Sequence, residues 1–424
     1  MRQFVISTVL LFLALAAQAQ MPHSEPKKDS CVTCHSALEG EFGRPAQLFQ
    51  ADIHKKHGFS CASCHGGDPA SDEMETAMDP RRGFVGKIPR TKIPDMCARC
   101  HSDATLIHQF KPQQRVDQLA QYKTSVHGKR LAAGDTRVAT CIDCHSVHDI
   151  REVNDALAPV HPVKVPGTCA RCHADSEHMK GYNIPTDQFE RYRGSVHWDA
   201  LSKRGDLSAP NCATCHGNHG AAPPGVASVA NVCGTCHVVF QNLFDQSPHK
   251  PAFEAMNVAA CVECHSNHGI VHPKPELLGV GSGAVCVKCH ASGDPGYVAA
   301  AAMKRDIDEL RSALTSSEKM LKRAEDSGME VSEGRLQLAA ANEEWIKARV
   351  QVHSFRPGAV NSAVKAGLEA AGKGYQTGLA ALRERDVRRK GLAVSLISIA
   401  LVIVGLWLTA RYLDRRTSQS VEGP

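Results

Sequence analysis

Nine short runs of cysteine and histidine share the spacing Cys-x-x-Cys-His and carry the chemistry of this 424-residue chain. Two thiolates at this spacing can add to the vinyl groups of a haem, while the histidine that follows binds the iron from one face. The pattern therefore predicts nine covalently bound haems c. All 18 cysteines of the chain belong to these runs, and they are Cys31, Cys34, Cys61, Cys64, Cys97, Cys100, Cys141, Cys144, Cys169, Cys172, Cys212, Cys215, Cys233, Cys236, Cys261, Cys264, Cys286 and Cys289.

The histidines that close the runs are the predicted first ligands of the nine irons. Zinc ribbons and disulfides are the two other structures that Cys-x-x-Cys pairs commonly form. Neither explains why histidine follows the second cysteine every time, when histidine makes up only 23 of the 424 residues. The run histidines are His35, His65, His101, His145, His173, His216, His237, His265 and His290.

Six more histidines stand at repeated offsets from the runs, which indicates an internal repeat. His127, His197 and His249 each follow a Ser-x dipeptide and precede a run by 12 to 15 residues. A second set lies three residues after a run histidine, too close to reach back over the same haem, so we expect it to bind the neighbouring iron. The members of this second set are His148, His219 and His268.

The remaining candidate ligands stand outside the repeat. His54 and His57 lie just before Cys61 and could cap the iron of the first or second haem. His353 projects from an apolar helix face that could pack on the haem domain, so we predict it as a ligand too, although a lone histidine at a helix end is often structural. Methionine ligands would raise the potential, but the available methionines follow no repeated offset: Met74, Met78, Met179 and Met256.

The composition predicts a mainly α fold with much irregular loop. Aromatic residues make up 5% of the chain, which also holds 33 glycines and 22 prolines, so short helices and loops wrapped on haem faces are expected. The long connector at residues 66–96 is either a partner-docking loop or a haem cover. The formal charge of +5 is a poor guide to the surface, because each haem adds two propionates, and we predict no nucleic-acid partner.

Both ends of the chain carry apolar segments. Residues 1–19 resemble a secretory signal peptide with an Ala17-Gln18-Ala19 cleavage site, and an uncleaved anchor is the alternative. Residues 391–410 contain no charge and match a hydrocarbon layer of about 30 Å, which predicts one transmembrane helix. The signal peptide then places the haem domain, residues 20–295, in the periplasm and the tail, residues 411–424, in the cytoplasm.

Apolar residues at helical spacing fill the segment between the haem domain and the membrane. Two such stretches flank Asp326-Ser327-Gly328 and predict a helical hairpin, and a third leads from Pro357 towards the membrane segment. Residues 296–390 are therefore expected to form a helical stalk that holds the haem domain near the bilayer.

The doubled runs, together with the Cys-His-x-x-His strings at His145, His216 and His265, resemble the multihaem cytochromes c of the c3/c7-like group. The resemblance covers roughly residues 30–295 and implies closely stacked, mostly bis-histidine haems of low potential that conduct electrons. We expect a membrane-anchored electron-transfer protein that connects a quinol-linked membrane donor to periplasmic acceptors.

A second resemblance suggests an enzyme. Octahaem hydroxylamine oxidoreductases and the multihaem tetrathionate and nitrite reductases also place a helical segment after a haem array, and they keep one iron open for substrate. This chain has no run with lysine in place of histidine. We therefore favour a non-catalytic electron carrier, with a multihaem reductase or oxidase of a small nitrogen or sulfur compound as the alternative, and a haem store or scaffold as the third reading.

Overall fold

The computed structural model describes residues 29–222 and 229–420, and the chain divides into two compact units, unit 1 (Met1–Val226) and unit 2 (Ala227–Pro424). The boundary falls between the run that ends at His216 and the run that begins at Cys233. Unit 2 therefore contains three of the runs together with the C-terminal helices. The predicted mainly α fold is confirmed, because the described residues form helices, turns and loops without any strand.

Unit 1 consists of short helices separated by loops. As the sequence predicted, several of them end at a run histidine, namely those at Cys61–His65, Ile93–His101, Cys141–His145, Val165–His173 and Cys212–His216. The described helices are α1 (Ser30–Ser36), α2 (Gly40–Phe49), α3 (Ile53–Lys56), α4 (Cys61–His65), α5 (Met74–Ala77), α6 (Ile93–His101), α7 (Ala104–Phe110), α8 (Gln118–Thr124), α9 (Val126–Ala132), α10 (Cys141–His145), α11 (Val165–His173), α12 (Ser176–Met179), α13 (Gln188–Arg193), α14 (Val196–Trp198) and α15 (Cys212–His216), with 3₁₀ turns at Pro80–Arg82 and Arg90–Lys92 and a π turn at Asp199–Lys203.

Unit 2 joins a similar array of short helices to three long ones. The predicted hairpin is present as the helices Pro295–Glu325 and Ser332–Gln351, and the third predicted stretch is the start of a 64-residue helix. The described helices are α16 (Val238–Asp245), α17 (His249–Ala255), α18 (Ala260–His265), α19 (Pro295–Glu325), α20 (Ser332–Gln351) and α21 (Pro357–Ser420), with 3₁₀ turns at Val229–Thr235, Pro275–Leu277, Cys286–Lys288 and Val352–Ser354.

The three long helices pack into a bundle around one apolar core. Leu310 and Leu321 of α19 and Val360 of α21 are fully buried there, and Leu338 of α20 joins them. Burial of an apolar face in this way supplies most of the stability of such helices. Beyond the bundle, α21 continues without a break into residues 391–410, where its side chains are exposed and its length and apolar composition would allow it to cross a membrane.

Candidate haem-ligating histidine pairs

Run histidines and extra histidines face each other in pairs. In each of six pairs the ring centres lie 5.9 to 6.1 Å apart, and each pair joins one run histidine to one histidine from outside the runs. Unit 1 contains His101 with His54, His65 with His148, His173 with His127 and His145 with His219, and unit 2 contains His290 with His249 and His265 with His353.

The separation within these pairs fits an iron held between two imidazoles. A metal–nitrogen bond of about 2 Å, with the ring centre about 1.2 Å beyond the nitrogen, puts two opposed ring centres about 6.4 Å apart, slightly more than the 5.9 to 6.1 Å observed. The residues therefore fit a haem whose iron is bound from both faces.

Hydrogen bonds on Nδ1 fix several of these rings so that Nε2 is left for a metal. His65 Nδ1 donates to the carbonyl oxygen of Val85 at 3.1 Å, and His353 Nδ1 donates to that of Val350 at 3.0 Å. In the same way, Nδ1 of His290 lies 3.2 Å from the Asp294 carboxylate. A second hydrogen bond of this kind sets the tautomer and orientation of ligating histidines in general.

The Ser-x-His strings position their histidines through helix capping. The hydroxyl of Ser125 accepts from the backbone N–H of Gly128 at 3.0 Å, and that of Ser195 accepts from Trp198 N–H at 3.1 Å. In unit 2, where Pro248 is the N-cap, Ser247 lies one residue before it, and its Oγ accepts from the N–H of His249 at 3.2 Å. All three serines are buried. Because the cap fixes the first turn of the helix, it also fixes the direction of the histidine two residues later.

Asp52 plays the same part for His54, and the sequence analysis missed this relation. The Asp52 carboxylate accepts from His54 N–H at 2.8 Å and contacts its Nδ1 at 2.9 Å, and only 2% of the residue is exposed. Burial would raise the pKa of Asp52, but the hydrogen bonds from His54 and Ile150 outweigh it and hold the pKa below its usual value. Asp-x-His is thus a fourth copy of Ser-x-His, and aspartate's preference for helix N-caps was the signal available for finding it.

His54 pairs with a different run from those considered in the sequence analysis. Its ring faces His101, which closes the third run, whereas we had considered the first and second haems. The ring of His57 packs instead against Phe110, with ring centres 5.0 Å apart. α3 ends at Lys56, so His57 is the C-cap with a non-helical backbone, and the two rings contact different neighbours.

The backbone turns sharply between a run histidine and the histidine that lies three residues after it. The residue that directly follows the run histidine has a positive φ of 65° to 79° at four runs, a conformation that ends the helix at once. The chain then doubles back, so His148 reaches His65 and His219 reaches His145 rather than their own runs. The residues with this φ are Gly66, Ser146, Gly217 and Ser266.

Burial favours the neutral form of His145 and His353, which is the form that binds a metal. Burial lowers the pKa of His145 to about 4, helped by the nearby rings of His219 and His101. The pKa of His353 is also lowered by burial, although its hydrogen bond to Val350 acts in the opposite direction. At pH 7 a neutral His145 presents a lone pair rather than a proton to its partner.

Runs that are consecutive in the chain are also neighbours in space. The thiols of the first cysteines of adjacent runs interact in three places, namely Cys97 with Cys141, Cys169 with Cys212 and Cys233 with Cys261. Other cysteines of adjacent runs interact electrostatically, as Cys64 does with Cys100 and Cys264 with Cys286. No disulfide forms among the cysteines of the described residues. Within each unit, the predicted haem-attachment cysteines of successive runs therefore lie close together in space.

Other predicted ligands remain predictions. His197, His216, His237 and His268 each take part in further interactions, and none of the six pairs described above includes them. His35 donates from Nδ1 to the carbonyl oxygen of Phe42 at 2.9 Å, so its Nε2 is available to bind an iron from one side.

Comparison with known proteins supports a multihaem c-type cytochrome. A family described as cytochrome c3 matches residues 53–174 and 206–291, which include eight of the nine runs. The chain is also similar to a cytochrome c-type protein, NrfB, of Escherichia coli O6:H1, with 25% identity over 155 residues that make up 36% of this chain and 69% of that protein. No solved structure matches the chain.

Proposed function

We propose that this protein carries nine covalently bound haems c and passes electrons between a quinol-linked donor in the membrane and acceptors in the periplasm. The observation that carries the proposal is the set of six histidine pairs with ring centres about 6 Å apart. An iron bound by two imidazoles has no open coordination position, so it can gain or lose an electron but cannot bind a substrate.

The haems, when bound, supply the one-electron chemistry, and the protein supplies binding and spacing. The paired histidines would hold both faces of an iron, and the Nδ1 hydrogen bonds of residues such as His65 and His353 would keep their rings in place. The interactions of Cys97 with Cys141 and of Cys233 with Cys261 would keep neighbouring haems near each other. Short steps between groups with similar ligands suit conduction in either direction.

The apolar part of α21 supports a location at the cytoplasmic membrane. Residues 391–410 would span the bilayer, with the haem runs in the periplasm and the last residues in the cytoplasm. The similarity to cytochrome c3 agrees with a periplasmic haem region, since c-type haem is attached outside the bacterial cytoplasm in families that carry this motif. Redox proteins of the membrane and periplasm are accordingly the proposed partners.

Carbon monoxide tests whether the irons are closed. It binds only to a reduced haem with an open position, so the Soret band of the fully reduced protein should not change when the gas is added. The same sample should contain nine haems per chain by pyridine haemochrome assay. A Soret change that corresponds to several irons would contradict pairing as the general arrangement.

One observation favours the alternative function, a multihaem oxidoreductase of a small nitrogen or sulfur compound. Among the described residues, no ring contact joins His35 to another histidine, unlike the run histidines of the six pairs. His23, which precedes this run, lies outside the described residues. A carbon monoxide change amounting to about one haem in nine would support this second function.

A further inference from the structure

The long helices of unit 2 form a bundle whose register can be followed through its packed residues. α19 and α21 run parallel, and α20 runs antiparallel to both. The packed pairs of α19 and α21 keep a nearly constant offset along the chain, from Asp306 with Asn361 through Leu310 with Gly367, Ser317 with Gly374 and Leu321 with Gly378 to Ser327 with Arg385. Gly334 of α20 contacts Thr377, and Glu344 contacts Gly367, as an antiparallel helix requires.

All three haem runs of unit 2 lie at one end of this bundle. His353, on the turn between α20 and α21, faces His265 and contacts Phe240 with ring centres 4.7 Å apart. Phe240 in turn lies 6.0 Å from His237. His290 directly precedes α19 and contacts Asp294, which caps that helix.

Further contacts fix the same end in place. The ring of Phe355 lies 3.9 Å from that of His249, which pairs with His290. Arg356 donates to the backbone oxygen of Gln246 at 2.9 Å. The runs that contain His237, His265 and His290 are therefore attached to the bundle where α19 begins, α20 ends and α21 begins.

The apolar segment lies at the opposite end of the bundle. α21 is one helix from Pro357 through the apolar residues 391–410, and its last packed contact in the bundle is Arg385 with Ser327. About 34 residues separate Pro357 from Gly391, which at 1.5 Å per residue gives about 51 Å. A tilt of about 20°, which is average for membrane helices, lowers the height above the bilayer to about 48 Å.

We infer that the bundle holds the three runs of unit 2 about 50 Å above the membrane surface, out of reach of a quinol dissolved in the bilayer. The inference rests on the membrane anchoring proposed above. Electron transfer between cofactors falls steeply with distance, so a direct step over this height is excluded. Any electron that passes between the membrane pool and these runs must then be carried over that height by protein-bound redox centres.

Distance measurements on spin-labelled full-length protein in liposomes test the inference. The native cysteines would be consumed by haem attachment, so introduced cysteines can be labelled selectively. Gln246→Cys with Lys390→Cys joins the haem end to the membrane end, and Ser362→Cys with Lys390→Cys calibrates α21 alone at about 42 Å. Gln246, Ser362 and Lys390 are all exposed.

We expect the Gln246–Lys390 pair to give a distance of about 50 Å by pulsed electron paramagnetic resonance. A distance below about 30 Å, with the calibration pair unchanged, would overturn the inference, because the haem end would then lie close to the membrane. The same single-label proteins can be exposed to nickel chelated on lipid headgroups, which relaxes only nearby labels. Relaxation at residue 390 and none at residue 246 is expected.

The two readouts separate this inference from the proposed function. Relaxation of the label at residue 246 by nickel lipids would contradict the inferred height above the membrane. If the label at residue 390 is not relaxed, the membrane anchoring itself is wrong, and the inference falls with it, whereas electron transfer by the haem runs would be unaffected.

Discussion

The ring of His353 lies 6.0 Å from the ring of His265, and the two planes are only 17° apart. His265 closes a haem run, whereas His353 belongs to the turn that joins two helices of the bundle. The bundle would therefore present an imidazole to the iron bound by His265. Binding of that haem would then be linked to the folding of the C-terminal helices.

Removal of His353 should open one iron. In His353→Ala the reduced protein is expected to bind carbon monoxide at one haem more than the wild type, with a Soret change of about one-ninth. His272→Ala is the matched control, since His272 is exposed and belongs to none of the six pairs. An unchanged spectrum in His353→Ala would show that this histidine is structural.

His54 and His57 should behave differently despite their closeness in sequence. His54→Ala should open the iron bound by His101, because its ring faces that histidine. His57→Ala should leave all irons closed, because its ring packs on Phe110. Carbon monoxide spectra of the two reduced variants compare them directly, and the reverse order of effects would contradict the pairing of His54 with His101.

Two glycines of α21 should respond oppositely to the same substitution. A Cβ at Gly374 would lie 2.7 Å from Ser317 Oγ and 3.2 Å from the backbone oxygen of Gly334, whereas nothing lies within 4 Å of one at Gly372. Gly372→Ala should stabilise the helix by up to about 1 kcal/mol. Gly374→Ala should be less stable than Gly372→Ala by about 1–3 kcal/mol because of overpacking.

Denaturant unfolding, followed by the helical circular dichroism signal, measures both glycine variants. Equal stabilities would mean that the three helices do not approach each other closely at Gly374.

Asp306 should make the bundle sensitive to acid. Burial would raise the pKa of Asp306, but hydrogen bonds from Asn361 and Arg305 outweigh it, and the pKa is lowered. The ionised carboxylate therefore makes its full contribution to stability when the pH is above 3.8, the ordinary pKa of an aspartate. This contribution is lost as the pH falls through the pKa of Asp306 in the folded protein, which is lower than 3.8. Asn361→Ala, which removes one donor, should cost about 1–2 kcal/mol at pH 7.

The cost of Asn361→Ala should shrink when unfolding is measured at about pH 3, because loss of the Asn361 hydrogen bond raises the pKa of Asp306 towards its ordinary value and the variant binds this proton at a higher pH than the wild type. Ser362→Ala, on the exposed side of the same helix, serves as the control and should have a small effect at both pH values. If Asn361→Ala lost the same free energy of unfolding at both pH values, the hydrogen bond from Asn361 would not stabilise the Asp306 carboxylate.

Much of the fold and of the candidate site could be predicted from local patterns. The helical hairpin follows from apolar residues at three-and-four spacing, and α19 and α20 lie where that spacing placed them. His353 was identified as a candidate because it projects from an apolar face. The Ser-x-His strings were noticed as a repeat, although their role as helix caps needed the structure.

The partners of the extra histidines could not be predicted, because they depend on contacts far apart in sequence. His148 reaches back 83 residues to His65, and nothing local to either residue sets that register. The neighbour of His54 depends on a distant contact in the same way, since α6 brings His101 beside it. Asp52 was overlooked because an aspartate carboxylate stands here in place of the serine hydroxyl of the Ser-x-His strings.

Protein-film voltammetry tests the central claim, conduction through paired haems, most directly. We expect a reversible low-potential envelope that integrates to nine electrons per chain, with no catalytic current when nitrite, hydroxylamine or tetrathionate is added. A catalytic current with any of these compounds would contradict a purely electron-carrying role and would identify the protein as an oxidoreductase.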